Sequence, residues 1–172
     1  MGRAQAEGLA EALAPEAFDL AVASDLRRAF ETAQTIASRH APLKVRSDRR
    51  LRELYYGQWE GLNWQQIVDR HPSMRGVSVS SPSDYVIEDG ESFAQLQRRV
   101  AEVLAELRAS NAGNVLVVTH AGPLHAMLRT LMPEKQDDFD VRLQPASITR
   151  VRIDDERAEL IALNETAHLR DY

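Results

Sequence analysis

Apolar and polar positions alternate along this chain in two distinct rhythms. Residues 3–14 place Leu9, Ala10 and Leu13 on one face at helical spacing, with Pro15 as a stop, and this spacing predicts a helix. The stretch FDLAVAS, residues 18–24, is almost unbroken apolar sequence and predicts a short strand covered on both faces. The helical period returns in residues 25–40, striped by Leu26, Ala29, Phe30, Ala33 and Ala37 and ended by Pro42. KVRS, residues 44–47, reads as a weaker strand. Residues 51–64 are rich in aromatics and glycine and read as an ordered loop, with a short helix over 63–71 before Pro72. Residues 73–90 collect Ser, Gly, Pro and Asp and read as a mobile loop of the lid type.

The second half repeats the alternation. Residues 91–110 carry a strong stripe of Phe93, Leu96, Val100, Val103, Leu104 and Leu107, so a long helix is predicted. NVLVVTH, residues 114–120, is a strand; Gly122-Pro123 then breaks it and opens a helix to residue 132. Residues 147–154 and 158–163 read as two strands turning near Asp154-Asp155. The whole pattern implies one domain over residues 1–172, an α/β fold of three layers with a mostly parallel sheet and helices on both faces. In such sheets ligands bind beyond the carboxyl ends of the strands. One strand end delivers Ser24-Asp25 and then Arg27-Arg28; another delivers Thr119-His120. Two helix N-termini point to the same edge, and together these groups describe an anion site, most simply for phosphate.

Composition narrows the class. The net charge is −5 and the isoelectric point about 5.6, which argues against a dedicated nucleic-acid binder. Cysteine is absent, so thiol nucleophiles, disulfides and thiolate-held zinc are excluded, in keeping with a reducing compartment. No apolar run approaches the roughly 18–20 residues that span a bilayer, and the first residues lack the apolar core of a signal peptide. The expectation is a soluble cytoplasmic protein without a membrane partner. His120 and His125 lack metal-ligand spacing, so no metal site is expected.

The segments GRAQAEGLAEAL, ASDLRRAFETA, LRELYYGQWEG, DGES and VVTHAG, in that order, resemble the histidine phosphatase superfamily, the phosphoglycerate mutase-like family. The resemblance covers nearly the whole chain, down to LNETAHL. It implies phosphoryl transfer through a phosphohistidine, without metal or cofactor. Carried over by motif, Arg28 is the second phosphate-binding arginine, Glu53 the acid/base and His120 the second histidine. Ser24 and the backbone N–H of Ala121 belong to the phosphate-lining segments. The tripeptide HAG departs mildly from the commoner HGG or HGN.

The implied substrate is a small phosphorylated metabolite. A phosphatase is favoured over a mutase, because the segment from Glu53 to His120 is compact and the chain ends soon after LNETAHL. The rival readings are a catalytically inactive phosphate-binding protein and a phosphoglycerate mutase. One departure is large: no Arg-His-Gly occurs in the 172 residues, although the family places its nucleophile there. The resemblance puts that motif ahead of the helix opening at Gly2-Arg3. The expectation is that a strand, a phosphate loop and a linker, on the order of 25–30 residues, are missing. That strand is expected between the strands at 18–24 and 114–120, and the chain as written is expected to be truncated and inactive without it.

Each candidate also has a plainer explanation. Arg28 could be a solvated arginine in a first helical turn, as Arg27 is expected to be. Glu53 could be a surface carboxylate answering Arg49, Arg50 and Arg52; as an acid/base it needs burial beside Tyr55, Tyr56 or Trp59 to raise its pKa. His120 could be a satisfied strand-end histidine; in the functional role it is a protonated imidazole donating to a phosphoryl oxygen. Arg98 and Arg99 read as a solvated helix face, Trp59 and Trp64 as core or pocket wall, and His125 as pocket wall or surface. His40 and His71 end helices, and residues 89–92 read as a helix cap.

Overall fold

The computed structural model describes residues 2–76, 86–139, 141–154 and 157–169. Three short strands, β1 (Leu20–Ala23), β2 (Val45–Ser47) and β3 (Val115–Val118), form a parallel sheet in the order β2-β1-β3. The nearly unbroken apolar runs are explained by cover on both sides. On one face Ala21 and Leu116 pack with Leu9 and Leu13 of α1 (Gly2–Leu13) and Ile36 of α2 (Arg27–Ala37). On the other face Val22 and Val117 pack with Val100, Val103 and Leu104 of α4 (Phe93–Ala109) and Ala126 of α5 (Ala121–Leu131). Between these halves lie a turn at Arg49–Leu51 and the short helix α3 (Trp64–Arg70). The fold is therefore the expected α/β layering.

Helix starts follow local chemistry. Ser92 caps α4 and Gln95 returns the bond to the Ser92 N–H; Asn63 and Gln66 do the same for α3. The stripe expected on α2 is rotated slightly: Ile36 is fully buried and Phe30 only half-buried. Trp59 belongs to the core, whereas Trp64 is 40% exposed, so only the first tryptophan fits the expected wall. Of the segment 73–90 expected to form a lid, residues 77–85 lie outside the described residues; the flanking Met74 and Ile87 are buried in the main core.

The strands β4 (Ile148–Ile153) and β5 (Ala158–Glu165) form a separate antiparallel pair. Their faces hold Val151, Ala158, Leu160 and Leu163 against Leu128, Met132 and Phe139. One expectation is corrected here. The strands read at 18–24 and 114–120 were expected to flank an intervening strand, yet β1 and β3 pair directly, from Leu20↔Val115 to Ala23↔Val118. Their matched backbone ladders and shared covering helices leave no space between them. Instead the other edge of β3 faces β4 across an apolar slot of about 550 Å³, lined by Val115, Val117, Leu128, Val151 and Ile153 among others. No helix among the described residues is long and apolar enough to cross a membrane.

Candidate functional site

The carboxyl ends of β1 and β3 are tied level. Ser24 N–H donates to Val118 O at 2.9 Å, so the residues leaving both strands emerge at one edge. Ser24 is fully buried, and its Oγ accepts from Leu26 N–H at 3.3 Å and shares a 2.9 Å hydrogen bond with Nε2 of His120. His120 occupies the cap position of α5 in extended conformation, which turns the chain from strand to helix. Thr119 fixes that corner by donating from Oγ1 to Leu51 O at 2.8 Å. Ser24 thus braces His120 from a buried position.

Glu53 reaches the same corner from the loop. Its Oε1 accepts from Leu54 N–H at 2.8 Å and from Gly122 N–H at 3.0 Å, in the first turn of α5. The helix terminus expected to greet a phosphate therefore holds a carboxylate of the chain itself, as its dipole allows. This approach requires glycine: a Cβ at Gly122 would lie 2.3 Å from Glu53 Oε1. Neighbouring Ala121, the expected phosphate contact, is exposed, and among the described residues nothing accepts its N–H.

Two of the three neighbouring arginines, Arg50 and Arg52, are engaged elsewhere rather than with Glu53. Arg50 pairs with Asp48 and with Glu106 of α4, and Arg52 forms a two-pronged pair with Asp25 at 2.7 and 2.6 Å. Arg27 is solvated and pairs with Glu31, as expected. Arg28 is exposed and forms no ion pair among the described residues; its charge acts on both Glu53 and His120. The expected trio of Arg28, Glu53 and His120 is thus brought to one corner.

Arg99 corrects the expectation of a solvated helix face. Its side chain is 20% exposed, pairs with Glu91 at 2.7 Å, and donates to the backbone oxygens of Arg50 and Glu53. A signal was present in the sequence, because Arg99 follows Leu96 by three and precedes Val103 by four, on the apolar stripe. Gly122 was also missed; a glycine in a first helical turn beside a conformationally fixed histidine is its only local sign. His125 is buried rather than wall or surface, with Nε2 bonded to Val141 O at 3.0 Å. His71 caps the end of α3 and His40 packs edge-on against Phe18.

Electrostatics follow from burial. Desolvation, followed by the charges of Arg28 and Arg99, drives the His120 imidazole from 6.5 down to about 4. The unliganded imidazole is consequently neutral near pH 7, in contrast to the protonated form expected for a phosphate-bound state. Burial raises the Glu53 carboxyl above its ordinary range, against the pull of the Leu54 and Gly122 N–H groups and of Arg28 and Arg99. Tyr56 is raised by burial and by the Glu53 charge. Arg28 and Glu53 open onto a cleft of about 770 Å³ lined also by Arg49, Arg52, Tyr55, Tyr56, Glu60, Glu91 and Arg99. His120 and Ser24, which bond each other, are not among the residues lining that cleft. Among the described residues no cluster of His, Asp or Glu could hold a metal ion.

An imidazole, a guanidinium without an ion pair among the described residues and a carboxyl raised by burial thus gather at the edge of the parallel sheet. The chain belongs to the histidine phosphatase superfamily, branch 1, whose sequence profile matches residues 1–166. It is 30% identical over 173 residues to phosphoserine phosphatase 1 of Hydrogenobacter thermophilus, spanning 99% of this chain and 82% of that one. It is 32% identical over 172 residues to the metal-independent phosphoserine phosphatase of Arabidopsis thaliana, spanning 98% of this chain and 71% of that one. Among solved structures, mycobacterial glucosyl-3-phosphoglycerate phosphatase in complex with inorganic phosphate superposes with a TM-score of 0.84 at 31% identity, covering 96% of this chain and 86% of that one.

Proposed function

We propose that this chain is the phosphoryl-binding body of a phosphatase that hydrolyses small phosphomonoesters through a phosphohistidine. Arg28 receives the phosphoryl oxygens through its planar fork. His120, neutral while the site is free, takes up a proton as a phosphoryl dianion approaches and donates to it. Glu53 carries the proton for the leaving oxygen and later removes one from the attacking water. The N–H of Ala121 adds a donor at the start of α5. The observation that carries this reading is Glu53: a carboxyl raised by burial, held at the N–H of Gly122 two residues past His120, with the charge of Arg28 acting on it. Two relatives are named as phosphoserine phosphatases and a structural neighbour binds inorganic phosphate, which supports the reaction class.

The nucleophile is not among the proposed residues. No Arg-His-Gly occurs in the sequence, and His120 is committed to Ser24. The chain alone is therefore expected to bind inorganic phosphate without hydrolysing an aryl phosphate. A version extended at its amino end by a strand carrying Arg-His-Gly is expected to hydrolyse it and to accumulate an acid-labile phosphohistidine, with turnover falling in the Glu53→Gln form. Hydrolysis by the unextended chain would refute the assignment of the nucleophile. An extended chain that binds phosphate without turnover would favour the rival, a non-catalytic phosphate-binding protein.

A further inference from the structure

The turn at Arg49–Leu51 contributes to the lining of the cleft, and three arginines fall within four residues there. A 3₁₀ turn puts residues three apart on one side. Arg49 and Arg52 accordingly both line the cleft, while Arg50 turns away to Asp48 and Glu106. Arg52 is held by Asp25, and Arg99 by Glu91. Arg28 and Arg49 are the lining arginines without an ion pair among the described residues. The charge of Arg28 acts on Glu53 and His120, which leaves Arg49 as the lining arginine with no partner among the described residues.

We propose that Arg49 is a specificity residue that receives a carboxylate on the substrate, so that the cleft selects phosphomonoesters bearing a carboxylate a few bonds from the ester oxygen. This rests on the phosphoryl reading of Arg28, Glu53 and His120. Charge balance favours a carboxylate over a second phosphoryl group. The lining holds four arginines and three glutamates, and two of the arginines are already neutralised. One planar monoanion matches one guanidinium fork, whereas a second dianion would also face Glu60 and Glu91. The exposed ring of Tyr55 and the half-buried Tyr56 supply walls for the few carbons between the two anionic groups.

The test is calorimetric titration of the chain with three probes: inorganic phosphate, O-phosphoserine and O-phosphoethanolamine. The last two differ by one carboxylate. Phosphoserine should bind about three- to ten-fold more tightly than phosphoethanolamine, the range for one partly solvated charge pair. Arg49→Gln should abolish that preference and leave inorganic phosphate affinity unchanged. Arg27→Gln, which removes an equal charge outside the cleft, should keep the preference. Equal binding of the two esters by the parent chain, a preference that survives Arg49→Gln, or its loss in Arg27→Gln would each overturn the proposal. Failure to bind inorganic phosphate would instead overturn the phosphoryl reading beneath it. Unchanged melting curves of both variants confirm that folding is not the variable, since both side chains are exposed.

Discussion

The His120 imidazole should refuse protonation until well below the pH of an ordinary histidine, and the consequence is measurable as stability. Holding the group from 6.5 down to about 4 corresponds to about 3.4 kcal/mol at about 1.36 kcal/mol per pH unit. The ring is only half-buried, so solvent screening reduces this to about 1–2 kcal/mol. Its folded pKa lies below its unfolded value. On acidification the unfolded chain therefore takes up a proton that the folded chain rejects. The contribution is fully present above pH 6.5 and is lost as pH falls from there toward about 4. Glu53, raised by burial, runs the other way: its contribution is present at low pH and fades as pH rises through its folded value. Urea unfolding at about pH 5 and about pH 7.5, for the parent and for His120→Gln, isolates the histidine by difference, and the parent should lose about 1 kcal/mol more on acidification. NMR titration of the imidazole nitrogens gives the same quantity directly. Added phosphate should raise the titration midpoint, because a neighbouring dianion favours the charged ring. A free-protein midpoint near 6.5, or one that phosphate leaves unmoved, would refute the reasoning.

Other substitutions follow from the same geometry. Gly122→Ala places a methyl carbon 2.3 Å from Glu53 Oε1, so the carboxyl must swing away and lose its hydrogen bond. In the extended, histidine-bearing chain turnover should fall about ten- to a hundred-fold, while the melting temperature holds because alanine favours the helix; unchanged turnover would show that Glu53 need not sit there. Glu53→Gln replaces a charge that burial disfavours with an amide whose oxygen can still accept from Leu54 and Gly122. Stability at neutral pH should rise, and a lower urea midpoint would count against the raised carboxyl. Arg99→Leu strips Glu91 of its partner and the loop carbonyls of a donor, and should cost about 2–4 kcal/mol in chemical denaturation. A loss below about 0.5 kcal/mol would mean Arg99 is a surface residue after all.

Much of this molecule was written in its local periodicity. The apolar runs at 18–24 and 114–120 became β1 and β3, and the stripe from Phe93 to Leu104 became the buried face of α4. These assignments survive because hydrophobic spacing is a property of neighbouring residues and needs no knowledge of the rest of the chain. The motif order also brought Arg28, Glu53 and His120 into view before any coordinates. What their charges do was not legible. An imidazole pushed down to about 4 and a carboxyl pushed up depend on how much water each group loses, which only packing decides.

Partners distant in sequence were equally hidden. Glu53 and Gly122 are joined across 69 positions, Ser24 and His120 across 96, and Arg50 and Glu106 across 56. Of the arginines at 49, 50 and 52, the sequence could not say which one would stay free. Strand adjacency was decided at the same level: β1 and β3 meet directly, and the open edge of β3 turns toward β4. Sequence fixes what each segment can bury and which groups it carries. The tertiary fold decides which groups meet, because pairing energies and desolvation depend on distances between segments that the linear order does not contain.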